Sequence, residues 1–147
     1  MSVKVNEVIT FLNEIYPQDL ASDFDIGKIG LNIGNENIEI SNVLLALDAT
    51  YDVILEAINN NCNLIICHHP FIFNPITRID YNNSFGKSLA LLLKHQITVF
   101  SLHTNFDAAK SGMNDALIQQ LGFIPEKSNI QKDSFLRSCF ISEQSLK

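Results

Sequence analysis

Apolar residues recur along this chain at two distinct periods. Val5, Val8, Ile9, Leu12 and Ile15 follow helical spacing with polar residues between them. That spacing predicts an amphipathic helix over residues 4–15, stopped by Pro17. Residues 17–30 read as irregular and carry Asp19, Asp23, Asp25, Gly27 and Gly30. Leu31-Asn32-Ile33 predicts a short strand, and the turn signal Gly34-Asn35-Glu36-Asn37 makes it a hairpin with the segment beyond the turn. Val43 to Leu47 is a continuous apolar run ending in Asp48, as expected of a strand buried on both faces. Thr50 then caps a helix with Val53, Ile54, Ala57 and Ile58 on one side, ended by Asn59-Asn60-Asn61. A strand over 63–67 comes next, then a loop with Pro70 and Pro75. Asn83 or Ser84 caps a helix carrying Leu89, Leu92 and Leu93. A strand over 97–102 and a helix from Gly112 to Leu121, closed by Gly122, complete the pattern.

Strands alternating with helices imply right-handed crossovers and an α/β fold. The expected architecture is a mostly parallel sheet with flanking helices and an N-terminal hairpin strand. Residues 1–123 form this domain. Residues 124–147 change in character: Ile124 to Asn129 reads as a linker, and Ser138 to Ser142 as one short strand, the start of a second half. This last stretch offers only Glu126, Asp133, Cys139 and Glu143 as metal donors.

The chain has 147 residues, 46% of them hydrophobic and 18% charged, which suits one domain with a real core. A formal net charge of −6 without a Lys/Arg cluster makes a poor binder of nucleic acid, because phosphate neutralisation needs a basic face. Three cysteines without a C-x-x-C exclude a zinc ribbon and argue against a disulfide scaffold. There is no signal-peptide pattern and no apolar run near the ~18 residues of a membrane span. The default expectation is the cytoplasm.

Three of the four histidines lie at the ends of apolar runs. Asn63 to Cys67 leads into His68-His69-Pro70, and Ile97 to Leu102 leads into His103-Thr104-Asn105-Phe106-Asp107. In a parallel sheet, ligands sit beyond the carboxyl ends of strands, and both clusters fall there. Imidazole suits Zn, Fe, Mn or Ni, and carboxylate suits harder ions and can bridge two of them. His68, His69, His103 and Asp107 are therefore the candidate metal site. Consecutive side chains of a regular strand point to opposite faces. The doublet then either serves two adjacent ions or leaves the strand just there. His95, beside Lys94 in the last turn of a helix, reads as structural. Asp48 reads first as a helix cap, Asp23 and Asp25 as turn formers, and Cys67 as a buried small hydrophobe. No phosphate loop and no H-E-x-x-H motif is present.

The strings CHHPFIF (67–73) and HTNFDAAKSGMNDALIQQLG (103–122) resemble the two N-terminal signatures of the NIF-three-like family. ASDFDIGKIGLNIGN (21–35) is similar to its opening loop and VLLALDAT (43–50) to its next strand. Its members are described as dinuclear metal centre hexameric proteins and often named GTP cyclohydrolase 1 type 2 homologues. The resemblance implies two divalent ions per site, with His68, His69 and Asp107 as ligands and His103 as a neighbour or weaker ligand. It also implies self-association as a homohexamer and a nucleotide substrate. A further histidine and glutamate that the family supplies from its C-terminal half have no counterpart after His103, so the chain is expected to be an N-terminal half. Three functions are then open: a metal-dependent hydrolase of a nucleotide, a non-catalytic metal-dependent scaffold, or a truncated, inactive remnant. The catalytic residues are unassigned.

Overall fold

The computed structural model describes residues 2–124, 134–139 and 141. Helix α1 spans Val5–Ile15, and Glu7 reaches back to the Lys4 N–H at 2.8 Å to satisfy one of its free donors. Four strands form one sheet: β1 (Gly30–Ile33), β2 (Val43–Ala46), β3 (Leu64–Cys67) and β4 (Thr98–Ser101), in the order β1-β4-β3-β2. β2, β3 and β4 are parallel, and β1 lies antiparallel to β4. Helices α2 (Tyr51–Asn59) and α3 (Ser84–Lys94) connect the parallel strands. Thr50 Oγ1 accepts from the Val53 N–H and Asn83 Oδ1 from the Gly86 N–H, so side chains cap both helices. Helices α4 (Thr104–Ala108) and α5 (Met113–Gln120) follow β4. The fold is α/β with a mostly parallel sheet and flanking helices, as expected. No helix among the described residues is long and apolar enough to cross a membrane.

The two-residue period of the strands divides the core between two faces. Ile65, Cys67, Ile97 and Val99 pack with Ile54 and Ala57 of α2 and Leu92 of α3. Leu64, Phe100 and Leu102 pack with Val5, Val8, Ile9 and Leu12 on the α1 side. Farther along, the buried Arg137 pairs with Asp115 of α5. It also donates to the carbonyls of Ala108 and Ala109 at 2.9 and 3.1 Å, at the end of α4 where a cation complements the helix dipole.

Three expectations are corrected. β1 forms no hairpin with the segment after its turn. Gly34 adopts φ +116° and comes so close to Thr98 that an added Cβ would lie 2.6 Å from the Thr98 Cα. The Asn35 N–H donates to Thr98 Oγ1 at 3.3 Å, which fastens the turn to β4. The chain beyond it pairs with the N-terminal segment instead: the Val5 N–H donates to Ile38 O and the Ile40 N–H to Val3 O.

β2 is not buried on both faces. It is an edge strand, and Leu45 is 73% and Leu47 57% exposed, because α1 packs over the β3 and β4 residues of that face. An open groove of about 520 Å³, lined by Leu12, Tyr16, Leu45, Ile66, His68 and Phe106 among others, runs beside it. Finally, Ser138, Cys139 and Ile141 carry no strand. Phe140, Ser142, most of the expected linker, and Glu126, Asp133 and Glu143 lie outside the described residues.

Candidate metal centre

The parallel strands bring Asp48, the His68-His69 doublet and His103 to one edge of the sheet. The β3–β4 ladder continues one step past the strands, with the Leu102 N–H donating to Cys67 O at 3.0 Å. His103 follows at once, at the N-cap position of α4, and Asn105 Oδ1 accepts from its N–H at 3.0 Å. Asn105 also donates to Tyr16 O at 2.8 Å, tying α4 to the end of α1.

The doublet converges because it has left the strand. In regular extended chain, successive N–H groups point to opposite edges. Here the His68 and His69 N–H groups both donate to Leu47 O, at 3.1 and 3.0 Å. The backbone bends at these two residues, and the side-chain alternation of the strand no longer applies. The rings of His68 and His69 lie 5.0 Å apart, and the His103 ring lies 5.1 and 5.6 Å from them. Each of the three offers a ring nitrogen within 4.8 Å of the others.

Each imidazole faces a different carboxylate. Asp48 Oδ1 lies 2.7 Å from His69 Nδ1. The two oxygens of Asp25 lie 2.9 and 2.8 Å from His103 Nδ1. Asp107 Oδ1 lies 3.8 Å from His68 Nε2. The Asp25 carboxyl is fully buried, and it accepts from the Thr104 N–H at 3.2 Å and from the Thr104 hydroxyl. These contacts occupy Nδ1 of His69 and His103 and leave Nε2 of both as the donor toward a ligand. A carboxylate behind a histidine fixes its tautomer and raises its basicity, the usual arrangement behind a metal-bound imidazole.

Burial sets the charge of the remaining pair. Desolvation holds the His68 pKa below its ordinary 6.5; Asp107 opposes this, and His103 and His69 reinforce it. His68 is therefore neutral at pH 7, the form that binds a metal. Desolvation raises the Asp107 carboxyl, against the pull of His68 and His103. Among the described residues, His68 Nδ1 is buried without a hydrogen-bond partner.

Of the four expected site residues, the structure gathers His68, His69 and His103 into one trio, and Asp107 joins it through His68. The His103 ring nitrogen lies in the same cluster as those of the doublet. Asp48 does not cap α2, since Thr50 does; it orients His69 instead. Asp25 is no mere turn former but the anchor of His103. Its only sequence signal is its place in the loop string 21–35. Cys67 is buried beneath the site, and burial with the nearby Asp48 pushes its thiol up to about 12, so it is a poor ligand. His95 is exposed at the C-terminus of α3 and apart from the trio.

The model of the family Duf34/NIF3 (NGG1p interacting factor 3) matches residues 3–145. A GTP cyclohydrolase 1 type 2 homolog from Clostridium acetobutylicum is 40% identical over 130 residues, covering 88% of this chain and 47% of that protein. Another from Clostridium perfringens is 36% identical over 136 residues, covering 90% and 51%. Among solved structures, a Bacillus cereus protein related to NIF3 superposes with a TM-score of 0.79 at 42% identity, covering 83% of this chain and 33% of that one. Reduced HcgD from Methanocaldococcus jannaschii superposes with a TM-score of 0.77 at 34% identity, covering 86% and 50%. The chain belongs to the Duf34/NIF3 family. It spans about half the length of the two Clostridium relatives.

Proposed function

We propose that this Duf34/NIF3 chain is a divalent-metal protein acting in hydrolysis of a nucleotide, with His68, His69, His103 and Asp107 as the metal-holding residues. The observation that carries the reading is the trio of imidazole nitrogens within 4.8 Å of one another, each ring facing its own carboxylate. The donor set fits the group. Imidazole with carboxylate suits Zn, Fe, Mn or Ni, and two of the three rings are already oriented from behind. Asp25 and Asp48 are engaged behind His103 and His69, so Asp107 is the carboxylate left to reach an ion directly. Within this reading residues 1–123 are the metal-bearing domain.

A bound divalent ion would supply Lewis-acid polarisation of a phosphoryl or carbonyl oxygen. The chain's own residues supply the rest. Asp25 and Asp48 fix the ring orientations, so little reorganisation accompanies binding. Burial keeps His68 uncharged and ready to donate its lone pair. Asp107, partly buried, offers a carboxylate oxygen 3.8 Å from His68 Nε2, on the side where an ion held by that ring would lie. The names of the two Clostridium relatives point to GTP as the first nucleotide to try.

The test is metal content and GTP turnover after loading with Mn, Fe, Ni or Zn. The expected result is bound metal and turnover in the wild type, both lost in His68→Ala with His69→Ala and both kept in His95→Ala. Metal retained by the double variant overturns the assignment.

A second reading, a non-catalytic metal-dependent scaffold, is favoured by the uncovered apolar face at Leu45 and Leu47. Metal-dependent oligomers on sizing chromatography, without turnover, would select it.

A further inference from the structure

Over an aromatic ring that meets His103 lies a cation with no part in holding a metal. Lys28 Nζ sits 3.9 Å from the centroid of the Phe73 ring. That ring meets His103 edge-on, with centroids 6.3 Å apart and planes at 86°. Phe24 meets the same histidine at 6.3 Å and 75°. Both phenylalanines are open to solvent, at 55% and 38% exposure for Phe24 and Phe73. Two exposed aromatic walls and one ammonium therefore border the mouth of the candidate centre.

The position of Lys28 is fixed by the same residues that build the site. Its N–H donates to Asp25 O at 2.9 Å, and the side chain of Asp25 holds His103. Asn32 Nδ2 donates to Lys28 O at 2.8 Å, while Asn32 Oδ1 accepts from the Phe71 N–H at 2.7 Å. One asparagine thus links the Lys28 loop to the loop that carries Phe73. Among the described residues Lys28 has no ion-pair partner.

The electrostatics give this cation a use. Asp25, Asp48 and Asp107 stand around the three imidazoles in a chain of net charge −6. An ammonium seated over the ring that meets His103 attracts an anionic group of the substrate at short range and so places it beside the centre. We propose that Lys28, Phe73 and Phe24 form the substrate-orienting subsite of the metal centre. Lys28 takes a phosphate of a phosphorylated heteroaromatic compound, Phe24 offers its exposed ring to the flat heterocycle, and the reacting part lies against His68, His69 and His103. This rests on the metal-centre reading above and adds to it the residues that orient the substrate. The competing role is that the lysine stem merely covers Phe73. Lys28→Met keeps that cover and removes the charge.

The experiment is calorimetric binding of GTP and of guanosine to the full chain loaded with Mn, for wild type, Lys28→Met and Lys28→Arg, with bound metal measured in each. The expected result is that wild type prefers GTP to guanosine. Lys28→Met should lose about tenfold in GTP affinity, the scale of one charge-assisted hydrogen bond, with guanosine affinity and metal content unchanged, and Lys28→Arg should recover it. Equal GTP affinity in wild type and Lys28→Met, or no preference for GTP in wild type, overturns the subsite while leaving the metal centre intact. Metal missing from the wild type instead overturns the centre itself. Should Lys28→Met fail to fold, Lys28→Gln, which also removes the charge, decides by the same comparison of GTP with guanosine.

Discussion

The carboxylate of Asp25 lies 2.8 Å from Nδ1 of His103, across 78 residues of sequence. Two Thr104 donors share that carboxylate, one from the backbone and one from the hydroxyl. A fully buried carboxylate is costly unless its oxygens are satisfied, and here the same contacts that satisfy it also aim His103. Asp25→Asn keeps an acceptor of the same shape but removes the charge. It should lower metal affinity by about 10- to 100-fold, with the helical and strand content unchanged by circular dichroism. Metal titration of the two proteins checks this; equal affinity would show that Asp25 only packs.

The pH dependence of the metal-free chain comes from two opposite shifts. His68 is held below its ordinary 6.5 in the fold, so the unfolded chain takes up the proton first. Stability from His68 is present above pH 6.5 and is lost as pH falls through the folded value. His68→Gln should therefore flatten the decline of the urea midpoint between pH 7 and pH 5. An unchanged slope would refute the burial argument.

Asp107 has the reverse sign. Its carboxyl is raised above 3.8, so the folded chain keeps a proton that the unfolded chain has released. That stability is present below pH 3.8 and lost as pH rises through the folded value. At neutral pH the ionised group is a burden on the metal-free fold. Asp107→Asn should raise the urea midpoint of the metal-free chain at pH 7 while weakening metal binding. A variant that loses stability and keeps its metal would contradict both halves.

Cys67 should be inert in the native state. Its thiol is buried and pushed up to about 12, and it lies 3.1 Å from the His69 carbonyl, an acceptor for its S–H. The thiolate is the reactive form. At pH 8 iodoacetamide should label Cys67 only after denaturation, as peptide mass mapping would show. Rapid native labelling would mean that the floor of the site opens.

Gly34 is a backbone requirement. Its φ of +116° is strained for any side chain, and an added Cβ would meet the Thr98 backbone and side chain at 2.4 to 2.7 Å. Gly34→Ala should cost about 2 kcal/mol or more, read as a lowered Tm. A neutral effect would mean that the turn is not held against β4.

Most of the local structure was legible because local forces set it. The 3.6-residue period of α1, the caps at Thr50 and Asn83, and the apolar runs of β3 and β4 each depend on neighbours a few residues away. The partner of β1 was not legible, because the turn after it is fastened to Thr98, far along the chain. Nor was the exposure of β2. An apolar run reports what a strand is able to bury, and its place at the sheet edge decides what it does bury.

The candidate centre divides along the same line. Residue order is enough to stand imidazoles and an aspartate at the carboxyl ends of adjacent strands, since strand length and succession place them there. That His68 and His69 share one side emerges only in the folded chain, because it depends on both N–H groups finding the Leu47 carbonyl. Folding likewise brought His103 beside them and placed Asp25 and Asp48 against the rings. Side-chain direction at a strand end is set by the first hydrogen bonds after the ladder stops, and those bonds come from other segments of the chain.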